Sequence, residues 1–327
     1  MPEREITGPV DLCRGRRLNP AAIGYTRRPL HRTAVPGWGR TKRWEYWGLM
    51  TPTHMVGVTV SSLDYAGVEA LYVLDRATHR ETVHEGVVPL ARGVELPEQS
   101  GTGRARARAG TLAIEIDEEP GATRIRASAQ GVELDAVAAR ADRDSLGVVV
   151  PWSATRFQYT VKDVGRPLAG TLVVDGAEHD LGAPGSFAVL DHGRGRWPYS
   201  MRWNWGCGHG TADGRDVAVQ VGGAWTDRTG STENALILDG VLHKESDDLR
   251  WEYTPGDWLA PWRITGSRVD LVFHPEHERA AAMNLGVVAN ETHQCFGTWT
   301  GWMSTDDGER VTVDGAVGWA EEARNRW

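Results

Sequence analysis

Arg43-Trp44-Glu45-Tyr46-Trp47-Gly48, Met55-Val56-Gly57-Val58-Thr59-Val60-Ser61-Ser62-Leu63 and Glu69-Ala70-Leu71-Tyr72-Val73-Leu74-Asp75 follow one another across short gaps. Each run is rich in β-branched and aromatic residues and is bounded by turn formers, the mark of antiparallel strands. The stretch decides the fold because it returns. Trp203-Asn204-Trp205-Gly206 resembles the first run, and Val217-Ala218-Val219-Gln220-Val221 stands where Val56 to Val60 stood. Glu233 to Asp239 parallels Glu69 to Asp75. Leu172-Val173-Val174-Asp175-Gly176-Ala177 matches Thr312-Val313-Asp314-Gly315-Ala316. Asp191 through Trp197 matches Glu321 through Trp327, with the acid six residues before the tryptophan each time. Matches kept in one order predict a duplicated chain.

Further strands are expected at 110–117, 123–129, 131–138, 146–150, 155–162 and 170–175, with a loop at 97–103. No long stretch carries a helical period. The expected fold is all-β: two lipocalin-like (calycin-like) antiparallel barrels or half-barrels in tandem, at 41–185 and 186–327. An extended N-terminal strap over 1–40 precedes them, and its Ile23, Tyr25 and Leu30 are too apolar for a free tail. Closing a sheet removes exposed edges and leaves an interior that can hold a small ligand.

The bulk numbers narrow the function. A formal charge of −8 over 327 residues argues against a nucleic-acid binder. The alternating Arg104-Ala105-Arg106-Ala107-Arg108 run reads as one solvated strand face. Cys13, Cys207 and Cys295 show no CxxC spacing, so neither a disulfide framework nor a cysteine zinc site is expected. The N-terminus lacks a signal-peptide core, and no run reaches the ~18 apolar residues of a membrane span. A cytoplasmic location is expected, with transient contact at a membrane surface left open. His274-Pro275-Glu276-His277-Glu278 lacks the HExxH spacing, contains a proline and is expected as a solvated loop, not a metal site. Gly206-Cys207-Gly208-His209-Gly210 is expected as a bend or bulge. No dinucleotide, Walker or GxSxG motif occurs, so no cofactor is expected.

Chemistry concentrates in Asp191-His192-Gly193-Arg194-Gly195-Arg196-Trp197-Pro198-Tyr199 and the following Met201-Arg202-Trp203-Asn204-Trp205-Gly206. Asp191 has two readings. Against indole walls it would be desolvated, stay protonated and serve as a general acid; paired with Arg194 or Arg196 it would only pin the loop. A cation formed on a substrate would sit against Trp197, Trp203 or Trp205, the last two sharing one strand face. His192 is a candidate proton relay, although strand neighbours point to opposite faces. Tyr199 is a candidate donor to a substrate oxygen. Arg194, Glu233, Asn234 and Gln294 complete the candidate substrate-binding set. Glu233 also reads as structural, because Glu69 is its counterpart in the repeat.

Several segments together resemble the bacterial domain-of-unknown-function 2804 family. They are Leu18-Asn19-Pro20, Arg27-Arg28-Pro29-Leu30, Arg43 to Trp47, Gly193 to Tyr199, Thr232-Glu233-Asn234-Ala235 and Glu321 to Trp327. That family brings no assigned activity. Its layout is similar to the double-lipocalin group of carotenoid 1,2-hydratases, tocopherol-cyclase-like proteins and lipocalin-like cyclases. The resemblance implies a calycin-like fold and acid-initiated chemistry on a greasy substrate. The leading expectation is therefore a cofactor-independent hydratase or cyclase with Asp191 as acid, acting on a hydrophobic, isoprenoid-like molecule in a β-barrel cavity. The rival is a carrier for a lipid or hydrophobic metabolite. A protein-interaction scaffold would instead expose its aromatic patch.

Overall fold

The computed structural model describes residues 3–140, 142–284 and 289–326. The first half contributes β1 (Thr41–Met50), β2 (His54–Ser62), β3 (Ala66–Asp75), β4 (Arg80–Pro89), β5 (Arg104–Ala109), β6 (Leu112–Glu119), β7 (Ala122–Ala129), β8 (Val132–Ala139), β9 (Leu146–Ser153), β10 (Arg156–Val174), β11 (Ala177–Asp180) and β12 (Phe187–Arg196). The hydrogen-bonded path runs β5-β6-β7-β8-β10-β12-β1-β2-β3-β4. Its ends, β4 and β5, lie against each other, so the sheet is a nearly closed barrel.

The second half contributes β13 (Ser200–Ala212), β14 (Arg215–Gly223), β15 (Asn234–Leu238), β16 (Val241–Glu245), β17 (Arg250–Glu252), β18 (Trp262–Gly266), β19 (Val269–Asn284), β20 (Ala289–Ser304), β21 (Arg310–Thr312) and β22 (Ala316–Arg326). Its path, β16-β15-β14-β13-β22-β20-β19-β18-β17, is a half-barrel. In each half the first strand pairs with the last, β1 with β12 and β13 with β22. The all-β, tandem lipocalin-like fold expected from the repeat is the fold observed.

Alternation explains which residues face where. Trp47, Leu49, Val58, Leu71, Ile114, Ile125 and Leu190 fill the first barrel. Val219, Trp262, Leu271, Phe273 and Trp299 fill the second. A third cluster, with Tyr72, Val189, Trp205, Phe296 and Trp319, lies between the halves. Trp319 reaches across onto Gly48, where an added Cβ would lie 2.5 Å from the indole, so a glycine there lets the sheets close. The Arg104–Arg108 run is the predicted strand, with its arginines exposed and its alanines buried.

Several expectations shift. Phe187–Arg196, placed by sequence in the second half, pairs with β10 and β1 in the larger sheet. The chain crosses between sheets only at 197–199. The segments 155–162 and 170–175 form one strand, with a bulge between Val164 and Arg166. The His274–Glu278 stretch lies within β19, where a bulge between Pro275 and His277 absorbs the proline; it is not a loop. The Gly206–Gly210 stretch runs straight through β13. The match of Asp175-Gly176 with Asp314-Gly315 is not an equivalence, because one turn leads into β11 and the other into the closing strand β22. Before β1, Tyr25–Thr26 pairs with β9, and Leu12, Leu18 and Ala22 pack on Val149, Phe157 and Tyr159.

Candidate active site between the two halves

The register places two cross-strand rows against one cavity. In the first half Lys162, Asp191 and Tyr46 stand side by side on β10, β12 and β1. In the second, Gln294, Glu321 and Trp205 stand side by side on β20, β22 and β13. One step along, Thr160, Gly193 and Trp44 are matched by Thr292, Ala323 and Trp203. The two sets correspond position for position. Gly193 is required beneath Trp44, whose ring lies 2.1 Å from where a Cβ would stand.

Lys162, Asp191 and Tyr46, Gln294, Glu321 and Trp205, and the next pair Trp44 and Trp203 line a cavity of about 320 Å³ between the halves, together with Trp197, Trp225, Glu233 and Arg279. The sequence expected the cavity inside a barrel; both barrel interiors are filled by aliphatic and aromatic side chains, and the space lies between them instead.

Lys162 Nζ is the hub. It lies 2.9 Å from Asp191 Oδ2 and 3.5 Å from Glu233 Oε1, and 4.0 Å from the centre of the Trp205 ring. Burial opposes its positive charge, but Asp191 and Glu233, with Glu321 behind them, outweigh burial and hold its pKa above the usual lysine value. Thr160 donates to Asp191 Oδ1 (3.1 Å). Trp225 donates its indole N–H to Glu233 Oε2 (2.9 Å), and Trp203 donates to Glu321 Oε1 (2.8 Å). Burial pushes the Glu233 carboxyl up to about 7 against the pull of Lys162, with the Asp191 charge adding to the rise. Burial also raises Glu321, opposed by the Trp203 N–H and more weakly by Lys162. Three buried carboxyl groups thus gather around one buried ammonium, which favours keeping a proton on at least one of them.

Five of the residues singled out from sequence besides Asp191 line this space: Trp197, Trp203, Trp205, Glu233 and Gln294. Asp191 faces it, paired with Lys162 and not with Arg194 or Arg196. Four do not line it. His192 points to the other face of β12, where its Nδ1 lies 2.6 Å from Glu45 Oε1; burial, with help from Arg194, lowers its pKa, so the ring is neutral and donates to the carboxylate. Arg194 is on that same face, donating to the carbonyls of Pro97 and Trp44. Asn234 accepts from the Gly222 N–H and donates to the Asp247 carbonyl, joining strand to loop. Tyr199 is about half exposed and outside the cavity lining.

The pairing of Glu69 with Glu233 was out of register. Glu69 follows the parity of Leu71 and Val73 into the first barrel, and Ala70 is the neighbour that reaches the cavity. Glu233 therefore has no carboxylate counterpart. Lys162, Glu321, Tyr46, Trp44, Trp225 and Arg279 were missed. A signal existed for Glu321, since the repeat equated it with Asp191. None existed for Lys162, one charge within a long strand.

Residues 3–327 match the family model described as Domain of unknown function (DUF2804). The chain belongs to the DUF2804 family. No curated protein matches the sequence. Among solved structures, this DUF2804 chain is similar to CghA, with TM-score 0.55 and 13% identity over 91% of this chain and 89% of that one. CghA is also known in a structure with Sch210972 (TM-score 0.53, 12% identity, 91% and 89%). Kievitone hydratase from Nectria haematococca aligns with TM-score 0.52 and 10% identity over 88% and 89%. At such identities the likeness establishes the shared fold.

Proposed function

We propose that this protein is an acid-initiated hydratase or cyclase for a hydrophobic, unsaturated small molecule, with Glu233 as the general acid. The observation that carries the reading is the buried set of Asp191, Glu233 and Glu321 around Lys162, beside five indoles in one cavity. The kinship in fold with a hydratase supports it. A plain carrier of apolar ligands has no use for buried ionisable groups, which are costly to desolvate.

Asp191, the acid expected from sequence, is committed to Lys162 and Thr160. The proton donor is instead the carboxyl that burial holds near 7. Glu233 gives its proton to one carbon of a carbon–carbon double bond, and the positive charge develops on the neighbouring carbon. The faces of Trp197, Trp203, Trp205 and Trp225 stabilise that charge. Water, or a hydroxyl of the same molecule, then adds to the cation. Asp191 accepts the proton released, and its return to Glu233 through Lys162 resets the site with no net gain or loss of protons.

The test is incubation of the purified protein with isoprenoid alkenes and prenylated phenols in oxygen-18 water, followed by mass spectrometry. Hydration incorporates the heavy oxygen; cyclisation gives an isomer of unchanged mass. Both products are expected to vanish in a folded Glu233→Gln variant. Turnover at the parental rate in that variant, or ligands retained but never altered, would refute the proposal.

A further inference from the structure

Arg279 has hydrogen-bond donors and no acceptor, so its contacts fix the direction of what it touches. Its Nη1 donates to Gln294 Oε1 at 3.4 Å, as a guanidinium facing the oxygen end of the amide must. The other end, Nε2, then donates to the Tyr46 hydroxyl oxygen at 3.5 Å. The phenol is thereby used as an acceptor. Among the described residues nothing accepts the phenol's own proton.

The ring itself is held. Tyr46 meets Trp205 and Trp319 edge-on, at centroid distances of 5.8 and 6.2 Å, and Gly57 lies against it. Arg279 is fixed in turn over the Tyr72 ring, 4.3 Å from its centroid. Burial keeps the Tyr46 proton on well above the usual phenol range. The cavity thus presents one oriented, neutral O–H donor, and Tyr46 is the cross-strand neighbour of Asp191.

We propose that Tyr46 donates to an acceptor oxygen (carbonyl, ether or hydroxyl) on an otherwise apolar substrate, with Gln294 and Arg279 positioning its proton. This deepens the reading of the cavity as a substrate site and rests on it. It narrows the substrate class from plain hydrocarbons to oxygenated ones, with the reacting double bond a few bonds from the oxygen, because the carboxyl cluster begins one strand away.

The test is a binding titration that needs no turnover. Geranylacetone and the hydrocarbon in which its carbonyl is a methylene are titrated separately, following the fluorescence of the cavity tryptophans. In Tyr46→Phe the ketone-to-hydrocarbon affinity ratio is expected to fall about tenfold, the effect of one lost hydrogen bond. The hydrocarbon's own affinity should hold and so report an intact fold. Gln294→Leu, which frees the phenol to turn, should lower the ratio by a smaller factor. Equal changes for both probes in Tyr46→Phe would overturn the oxygen-recognition role while leaving the cavity reading intact. Failure of both probes to bind the parent protein would overturn both, and a parent that binds the hydrocarbon as tightly as the ketone would overturn the oxygen-recognition role alone.

Discussion

The two cross-strand rows in the cavity, Lys162–Asp191–Tyr46 and Gln294–Glu321–Trp205, occupy matching places in the two halves and behave differently. Each centres on a carboxyl facing the same space. Beside Asp191 stands an ammonium at 2.9 Å; beside Glu321, at the matching position, stands an uncharged amide. The matching positions thus give one carboxyl a salt-bridge partner at hand and the other only an amide neighbour. The first row holds a charge pair, and the second holds a carboxyl that burial pushes upward against an indole N–H and the more distant charges of Lys162 and Arg279. Glu233 enters from the loop before β15 and shares the lysine, so one cation serves an asymmetric set. The repeated frame supplies the walls, and divergence along the rows leaves the lysine on one side only.

The comparison breaks most sharply at Lys162. Lys162→Met leaves Asp191 and Glu233 buried without their cation, and stability measured by urea unfolding should drop by roughly 3–5 kcal/mol. A change below about 1 kcal/mol would mean the lysine is not the hub.

A pH profile of turnover sharpens the roles next. Activity that needs the protonated Glu233 should fall as pH rises through about 7, approaching tenfold per unit beyond it. Stability follows the same group. Its folded pKa lies above the ordinary glutamate value, so the native state holds the proton more tightly than the unfolded chain. This contribution is present at low pH and is lost as pH rises from near the unfolded value through about 7. Unfolding midpoints at a series of pH values, compared between the parent and Glu233→Gln, isolate it.

Gln294→Lys would rebuild the first row in the second. A cation beside Glu321 should lower that carboxyl by about one to three pH units, read by carbon-13 spectroscopy of labelled glutamate. No movement would show that the rows are alike in sequence position only. The smallest effect belongs to Tyr199, half exposed and away from the cavity. Tyr199→Ala should change stability by no more than about 0.5 kcal/mol and leave binding of the hydrocarbon probe unchanged.

Much of the frame was legible because alternation and repetition are local properties. The runs at Tyr46, Val58 and Leu71 and their later copies announced strands, duplication and facing. Trp203 and Trp205 were placed on one face by spacing alone. The site was harder because it depends on register between strands far apart in the chain. Lys162 meets Asp191 only through the ladder between β10 and β12, and meets Glu233 only because the halves close. Glu69 and Glu233 matched as text but were one residue out of step, which on a strand reverses the face. His192 and Arg194 looked like neighbours of Asp191, and their strand parity sent them behind the sheet to Glu45.

The most direct test of the central claim is the titration of the Glu233 carboxyl by carbon-13 spectroscopy on glutamate-labelled protein, with the resonance assigned by its loss in Glu233→Gln. A midpoint near 7, above the ordinary glutamate range, is expected. A midpoint at the ordinary value of about 4.3 would contradict it, because Glu233 would then be ionised at neutral pH and unable to start the reaction.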